Sequence, residues 1–179
     1  QEVGYWPYGY NSFYFDITRY LHAGQPNTLA VRLENLPESS RWYPGAGLYR
    51  NVHLIVTEAA HIPVWGTYVT TPEVSREAAK VSFRTQVALP KGADKAKYTL
   101  KTRLLNPNGQ QLIELSESLA GKADEVAQEC TVRKPTLWSP DLPALYKAES
   151  RLYEGDKLRD TYPTTFGIRS IEVIPDKGF

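Results

Sequence analysis

Tyr98-Thr99-Leu100-Lys101-Thr102-Arg103-Leu104-Leu105-Asn106-Pro107-Asn108-Gly109-Gln110-Gln111-Leu112-Ile113-Glu114-Leu115-Ser116 is the stretch on which the fold turns. Tyr98, Leu100 and Leu104 alternate with Thr99, Lys101 and Arg103, the period of two that sends apolar side chains to one face of a strand and polar ones to the other. Asn106-Pro107-Asn108-Gly109 then supplies a turn: proline presets φ, while asparagine and glycine accept the left-handed region. A second strand follows near Gln111 to Ser116, so the stretch predicts an antiparallel hairpin with one buried face.

The same signal recurs on both sides. Ile62-Pro63-Val64-Trp65-Gly66-Thr67-Tyr68-Val69-Thr70 opens the series, and Ala79 to Leu89 sets Val81, Phe83, Val87 and Leu89 against Ser82, Arg84 and Gln86. Val126, Cys130 and Val132 mark a later strand, Tyr146, Ala148, Ser150 and Leu152 the next, and Glu154-Gly155-Asp156 turns the chain into Lys157 to Thr165. Ile168 to Ile174 ends the series. About seven short strands with turn residues between them and no sustained helical period predict an all-β fold, an immunoglobulin-like antiparallel β-sandwich over 58–174. Cys130 is the only cysteine. The intersheet disulfide of antibody domains is therefore absent, Cys130 reads as a small buried residue, and hydrophobic packing must hold the two sheets.

Residues 1–57 read differently. Eight of the chain's 21 aromatic residues fall within the first 20 positions: Tyr5, Trp6, Tyr8, Tyr10, Phe13, Tyr14, Phe15 and Tyr20. These rings either pack a sandwich edge or form a stacking surface for the apolar faces of sugars. Tyr14 to Thr18, Thr28 to Glu34 and Val52 to Val56 alternate as strands, too few for an independent core. Ser39-Ser40-Arg41-Trp42-Tyr43-Pro44-Gly45-Ala46-Gly47-Leu48-Tyr49-Arg50-Asn51-Val52 is an aromatic, glycine-rich loop. In it Pro44 fixes a turn, and Gly45 and Gly47 permit backbone angles and close approaches closed to other residues.

Composition excludes several functions. Twenty-one basic and 20 acidic residues are spread evenly, so the chain carries no electrostatic footprint for nucleic acid. No apolar run approaches the roughly 20 residues of a membrane helix, which argues against membrane insertion. His22, His53 and His61 sit in unrelated contexts without metal-ligand spacing, and no phosphate-binding glycine loop or nucleophile elbow occurs. Glu114/Glu117 and Glu125/Glu129 read as solvated faces, because glycosidase chemistry needs carboxylates that converge across a cleft. The chain contains no methionine and stops at Lys177-Gly178-Phe179 after a hydrophobic pattern. Both features fit a segment of a longer protein.

Three stretches in one order resemble glycoside hydrolase family 2: Ser40-Arg41-Trp42-Tyr43-Pro44-Gly45-Ala46-Gly47-Leu48-Tyr49-Arg50-Asn51-Val52, Leu137-Trp138-Ser139-Pro140-Asp141-Leu142-Pro143-Ala144-Leu145-Tyr146, and Phe166-Gly167-Ile168-Arg169-Ser170-Ile171. Gly9 to Thr18 is similar to a late strand of that family's sugar-binding jelly roll. The resemblance implies a truncated jelly roll over 1–57, the sandwich over 58–174, and over 175–179 the start of a linker to a TIM barrel. The first stretch looks most like β-galactosidases. In this family the two catalytic glutamates of retaining hydrolysis come from the barrel, so the resemblance implies no catalytic residue here and an inactive chain in isolation.

The resemblance further implies that Ser40, Arg41 and Trp42 reach a substrate pocket or a domain interface. Serine stands at position 40 where some members carry an aspartate that touches galactosyl hydroxyls. Tyr43, Pro44, Gly45, Gly47, Arg50, Trp138, Pro140, Asp141, Tyr146, Phe166, Gly167 and Arg169 take structural roles. Trp42, Tyr43 and Arg50 join jelly roll to sandwich, Trp138 and Tyr146 pack against the core, and Arg169 pairs with a neighbouring carboxylate. No cofactor or metal is implied for this stretch, with Mg or Na confined to other parts of a parent enzyme. The implied partners are the other domains and a β-galactoside-type carbohydrate. Two other readings stay open, a stand-alone carbohydrate-binding or adhesive sandwich and a purely structural linker. The compartment stays open between periplasmic or extracellular and cytoplasmic.

Overall fold

The computed structural model describes residues 1–38, 45–172 and 174–175. Two compact units divide the chain, Gln1–His53 and Leu54–Phe179. The second is the sandwich. Its strands are β1 (Thr67–Val74), β2 (Ala78–Gln86), β3 (Tyr98–Leu105), β4 (Gln111–Ser118), β5 (Glu125–Arg133), β6 (Tyr146–Glu154) and β7 (Lys157–Phe166). They form an antiparallel three-stranded sheet, β1-β2-β5, and an antiparallel four-stranded sheet, β4-β3-β6-β7. The hairpin predicted from Tyr98 to Ser116 is β3–β4. Gly109 closes it at φ 80°, its N–H donating to the Asn106 carbonyl at 2.9 Å, while the Asn106 side chain accepts from the backbone of Asn108 and Gln110. Pro72 and Pro163 fall in β1 and β7, both edge strands, where a missing ladder donor is tolerated.

Alternation sets the core. One apolar cluster gathers Ile62, Val87, Tyr98, Leu100, Leu119, Val126 and Leu152, and another gathers Ala79, Val81, Phe83, Leu104, Val132, Tyr146, Ala148 and Ile168. Cys130 packs beside the second, and burial pushes its thiol up to about 11, so it stays a protonated packing group at neutral pH.

The same inward faces carry five buried polar side chains, Thr67, Thr85, Thr102, Gln128 and Ser150. Thr67 Oγ1 lies 3.4 Å from Thr85 Oγ1 and 3.3 Å from Ser150 Oγ. Thr102 Oγ1 donates to Gln128 Oε1 at 2.6 Å, and Gln128 Nε2 donates to the Leu100 carbonyl at 3.4 Å. Three of these links cross from one sheet to the other. Thr102→Val or Gln128→Leu alone strands one buried polar partner and is expected to cost about 1–3 kcal/mol; the double replacement costs less than the sum. Urea denaturation of the four chains measures that coupling. Additive losses would show that the pair contributes nothing jointly.

Three expectations are corrected. Tyr14 to Thr18, Thr28 to Glu34 and Val52 to Val56 form no strand among the described residues. Leu29, Val31 and Leu33 alternate correctly yet are 62%, 53% and 48% exposed: the pattern is present, but no sheet covers the apolar side. Thr18–Tyr20 is instead a 3-10 turn, its first N–H accepted by Asp16. Among the described residues Ile168 to Ile174 forms no strand: Ile168 leaves the ladder to become fully buried in the second apolar cluster. Ile62 to Gly66 likewise precedes β1 as a turn rather than opening it, with the Gly66 N–H donating to the Pro63 carbonyl at 2.8 Å.

In the unit Gln1–His53, the Trp6 ring stacks on Phe13 at 5.7 Å, Phe13 lies 5.5 Å from Phe15, and the Phe15 ring packs directly on Gly4.

Candidate functional site at the two ends of the sandwich

The segment leading into β1 is tied to both sheets. His61 exchanges backbone hydrogen bonds with Ala88 at 2.9 and 2.8 Å, and the N–H of the buried Ile62 donates to Asp160 Oδ2 on β7 at 2.8 Å. Arg159 reaches back from β7 to Glu58 at 2.7 Å and also holds Glu154. The N–H of Trp65 donates to the Tyr162 hydroxyl at 2.8 Å. Residues of β7 therefore hold the lead-in at three points.

The segment leaving β7 is fixed at the other end of that strand. Phe166 stacks on Tyr146 at 5.9 Å and meets Phe83 edge-on at 6.3 Å. The carbonyl of Ile168 accepts the Trp138 N–H at 2.9 Å, and that of Arg169 accepts the Thr71 hydroxyl of β1 at 3.1 Å. Gly167 is required by contact: a Cβ there would lie 2.7 Å from Trp138 Cγ and 2.8 Å from Trp138 Cβ, atoms near the backbone that cannot swing aside. The Arg169 guanidinium covers the Trp138 ring at 4.6 Å from its centroid, a cation–π contact. Asp160 to Arg169 is nine residues along an extended chain, about 30 Å at strand rise.

Trp138 is half-buried over Gly167 and so outside the two core clusters, whereas Tyr146 is a core residue whose hydroxyl accepts the Thr136 N–H at 2.8 Å. Pro140 and Asp141 are exposed in a tight turn closed by hydrogen bonds between Ser139 and Leu142. Arg50 lies 5.2 Å over the ring of its neighbour Tyr49. Among the described residues nothing lies within 4 Å of a Cβ built on Gly45 or Gly47, and neither has a left-handed φ. Ser40, Arg41, Trp42, Tyr43 and Pro44 lie outside the described residues.

Three of the four glutamates that read as solvated faces pair with a base. Glu117 pairs with Lys122 at 2.6 Å, Glu125 with Arg84 at 2.9 Å and Glu129 with Lys80 at 3.0 Å, while Glu114 lies across the ladder from Arg103. Among the described residues no group of three His, Cys, Asp or Glu side chains could hold a metal ion. An open depression of about 480 Å³ beside the β3–β4 turn is lined by Asn106, Arg133, Lys134 and Tyr146 and includes no carboxylate.

Sequence reasoning passed over Glu149, which lies on the outer face of β6. Its carboxylate accepts from Arg103 at 2.7 Å and Arg151 at 3.1 Å and pairs with Lys147 at 3.0 Å, with 13% of its side chain exposed. The Lys147 and Arg103 hydrogen bonds lower its pKa to about 2 against the opposing effect of burial.

Residues 60–169 match the family described as glycosyl hydrolases family 2. The chain is 38% identical over 182 residues to β-galactosidase BoGH2A of Bacteroides ovatus, covering 99% of this chain and 21% of that protein. It is also 38% identical to a putative β-glucuronidase of Formosa agariphila, covering 99% of this chain and 17% of the relative. The chain thus spans about a fifth of the length of these relatives. Among solved structures, a family 2 member from Bacteroides cellulosilyticus superposes with TM-score 0.58 at 32% identity, covering 65% of this chain and 15% of that one. A putative β-galactosidase from Bacteroides fragilis gives 0.59 at 26% identity, covering 66% and 19%.

Proposed function

The chain belongs to glycosyl hydrolases family 2, and on that premise we propose that it is a non-catalytic portion of a β-galactosidase-type enzyme. In this reading the sandwich holds a preceding sugar-binding jelly roll, of which 1–57 is the last part, at a fixed distance from a catalytic barrel that follows. The observation that carries it is the fixing of the lead-in and the exit at opposite ends of β7 by polar and aromatic contacts. A flexible tether would need none of these bonds, whereas a spacer that sets geometry needs the chain locked where it enters and where it leaves. Matching of acidic to basic side chains across the sandwich surface agrees with a support role, since a glycosidase acid must be free to exchange its proton with substrate.

The isolated chain is expected to give no turnover of 4-nitrophenyl β-galactoside or 4-nitrophenyl β-glucuronide above the uncatalysed rate. Release of nitrophenol at an enzymatic rate, retained through purification and lost on unfolding, would sink the reading. Assay of a longer protein containing the barrel on the same two substrates separates galactosidase from glucuronidase.

A further inference from the structure

Beyond that support role, we infer that the depression beside the β3–β4 turn is a docking site for a polypeptide segment that carries a carboxylate next to an aliphatic side chain. Leu112 and Leu142 are 43% and 56% exposed, and both line it together with Pro143, so one side of the depression is aliphatic surface left in water. The other side is polar and strongly donating. Arg133, the last residue of β5, and Lys134 after it bring two cations, and neither head group meets a carboxylate among the described residues. The backbone of Lys134 is pinned at φ 45° with its N–H on the Glu77 carbonyl at 2.8 Å, so that cation leaves the strand end from a fixed point.

The remaining polar groups have donors to spare. Tyr146, 2% exposed, accepts the Thr136 N–H through its hydroxyl at 2.8 Å, and that hydroxyl gives its own proton to no described residue. The Thr136 hydroxyl and the Asn108 side-chain amide, both from residues in the lining, likewise have no partner among the described residues. A buried hydroxyl with a bond unmade, beside two unpaired cations, calls for an acceptor-rich and negatively charged occupant. Tyr146 is the one ring of the lining and is buried, which leaves no aromatic face for a pyranose. Leucine and proline walls suit an aliphatic side chain, and a free amide and hydroxyl suit a peptide backbone. Tyr146 is also paired across the ladder with Phe166, the last residue of β7, so the depression lies at the end of the sandwich from which the chain leaves. A domain reached through that exit is the source of the segment, an attribution that rests on the reading above; the site itself does not.

Amide spectra of the full chain provide the test. N-acetyl-leucyl-glutamyl amide, titrated to roughly 20 mM for the millimolar Kd of an open depression, is expected to shift the Asn108 and Thr136 signals saturably. Its uncharged isostere, N-acetyl-leucyl-glutaminyl amide, binds roughly three- to tenfold more weakly, the ratio set by two exposed ion pairs. Lys134→Gly accepts the left-handed φ, leaves the rest of the spectrum unchanged, and is expected to cut that ratio roughly twofold. Unmoved Asn108 and Thr136 signals would overturn the inference, as would equal responses to the two dipeptides. Methyl β-glucuronide binding as tightly as the glutamyl dipeptide would also overturn it, making the depression a site for an acidic sugar. None of these readouts uses glycoside turnover, so the docking site and the support role fail separately.

Discussion

Phe83→Ala is expected to remove about 3–5 kcal/mol of the sandwich's stability, enough to leave the variant largely unfolded at 37 °C if the parent has an ordinary small-domain stability. Phe83 is fully buried at the centre of β2, within a cluster that joins Val81, Leu104, Tyr146 and Ile168. It also meets Phe166 edge-on, so its loss opens a cavity between the sheets where the exit from β7 is anchored. Phe83→Leu retains most of the volume and separates size from ring contact; it should lose roughly 1–2 kcal/mol. Guanidinium denaturation of the three chains gives the comparison, and a Phe83→Ala loss below about 1 kcal/mol would mean that the centre of the sandwich collapses freely around the gap.

Glu149 predicts a different signature, one that depends on pH. Its folded pKa of about 2 lies below the ordinary 4.5, so its contribution is fully present above the unfolded value and fades as pH falls from about 5 toward 2. Taken in full the shift is worth about 3 kcal/mol at neutral pH, and screening by solvent at the sandwich surface lowers its contribution to roughly 1–2 kcal/mol, which is also the loss expected of the charge alone. Glu149→Gln keeps the shape and removes the charge. It should lose roughly 1–2 kcal/mol at pH 7, while the two stability curves converge near pH 2. The cluster is already short of acceptors: Nε of Arg103 and of Arg151 is buried without a partner among the described residues. Parallel curves for parent and variant across pH 2–7 would show the carboxylate to be dispensable.

The hairpin and most strands were legible because period-two alternation and turn chemistry are local properties. Asn106 to Gly109 and Gly155, at φ 55°, did what their types suggest, and Pro72 and Pro163 lie where edge strands permit them. Thr85, Thr102 and Gln128 were missed despite being in phase with Phe83, Leu100 and Val126. Hydrophobic counting discards a polar residue on a buried face unless its partner is known, and those partners are on other strands. Glu149 was missed for a related reason: alternation shows that it points outward but not that Arg103 lies beside it on β3. At the ends, Gly167 could be read as a glycine but not as the floor beneath Trp138, nearly thirty residues earlier. In the first unit, the apolar spacing of Leu29, Val31 and Leu33 was legible while the surface that would cover them was not.

The anchoring at both ends of β7 also has a mechanical side. Tension applied between the segment at Ile62 and that at Arg169 passes along one continuous strand, and its edge pairing with β6 is loaded in shear, with the ladder bonds sharing the force instead of opening singly. A pull between Ile62 and Arg169 should therefore meet a stiff element, while one between Leu105 and Lys147, partners at the same end of β3 and β6, would peel that pair bond by bond. Whatever lies before and after the sandwich is joined through its least extensible line.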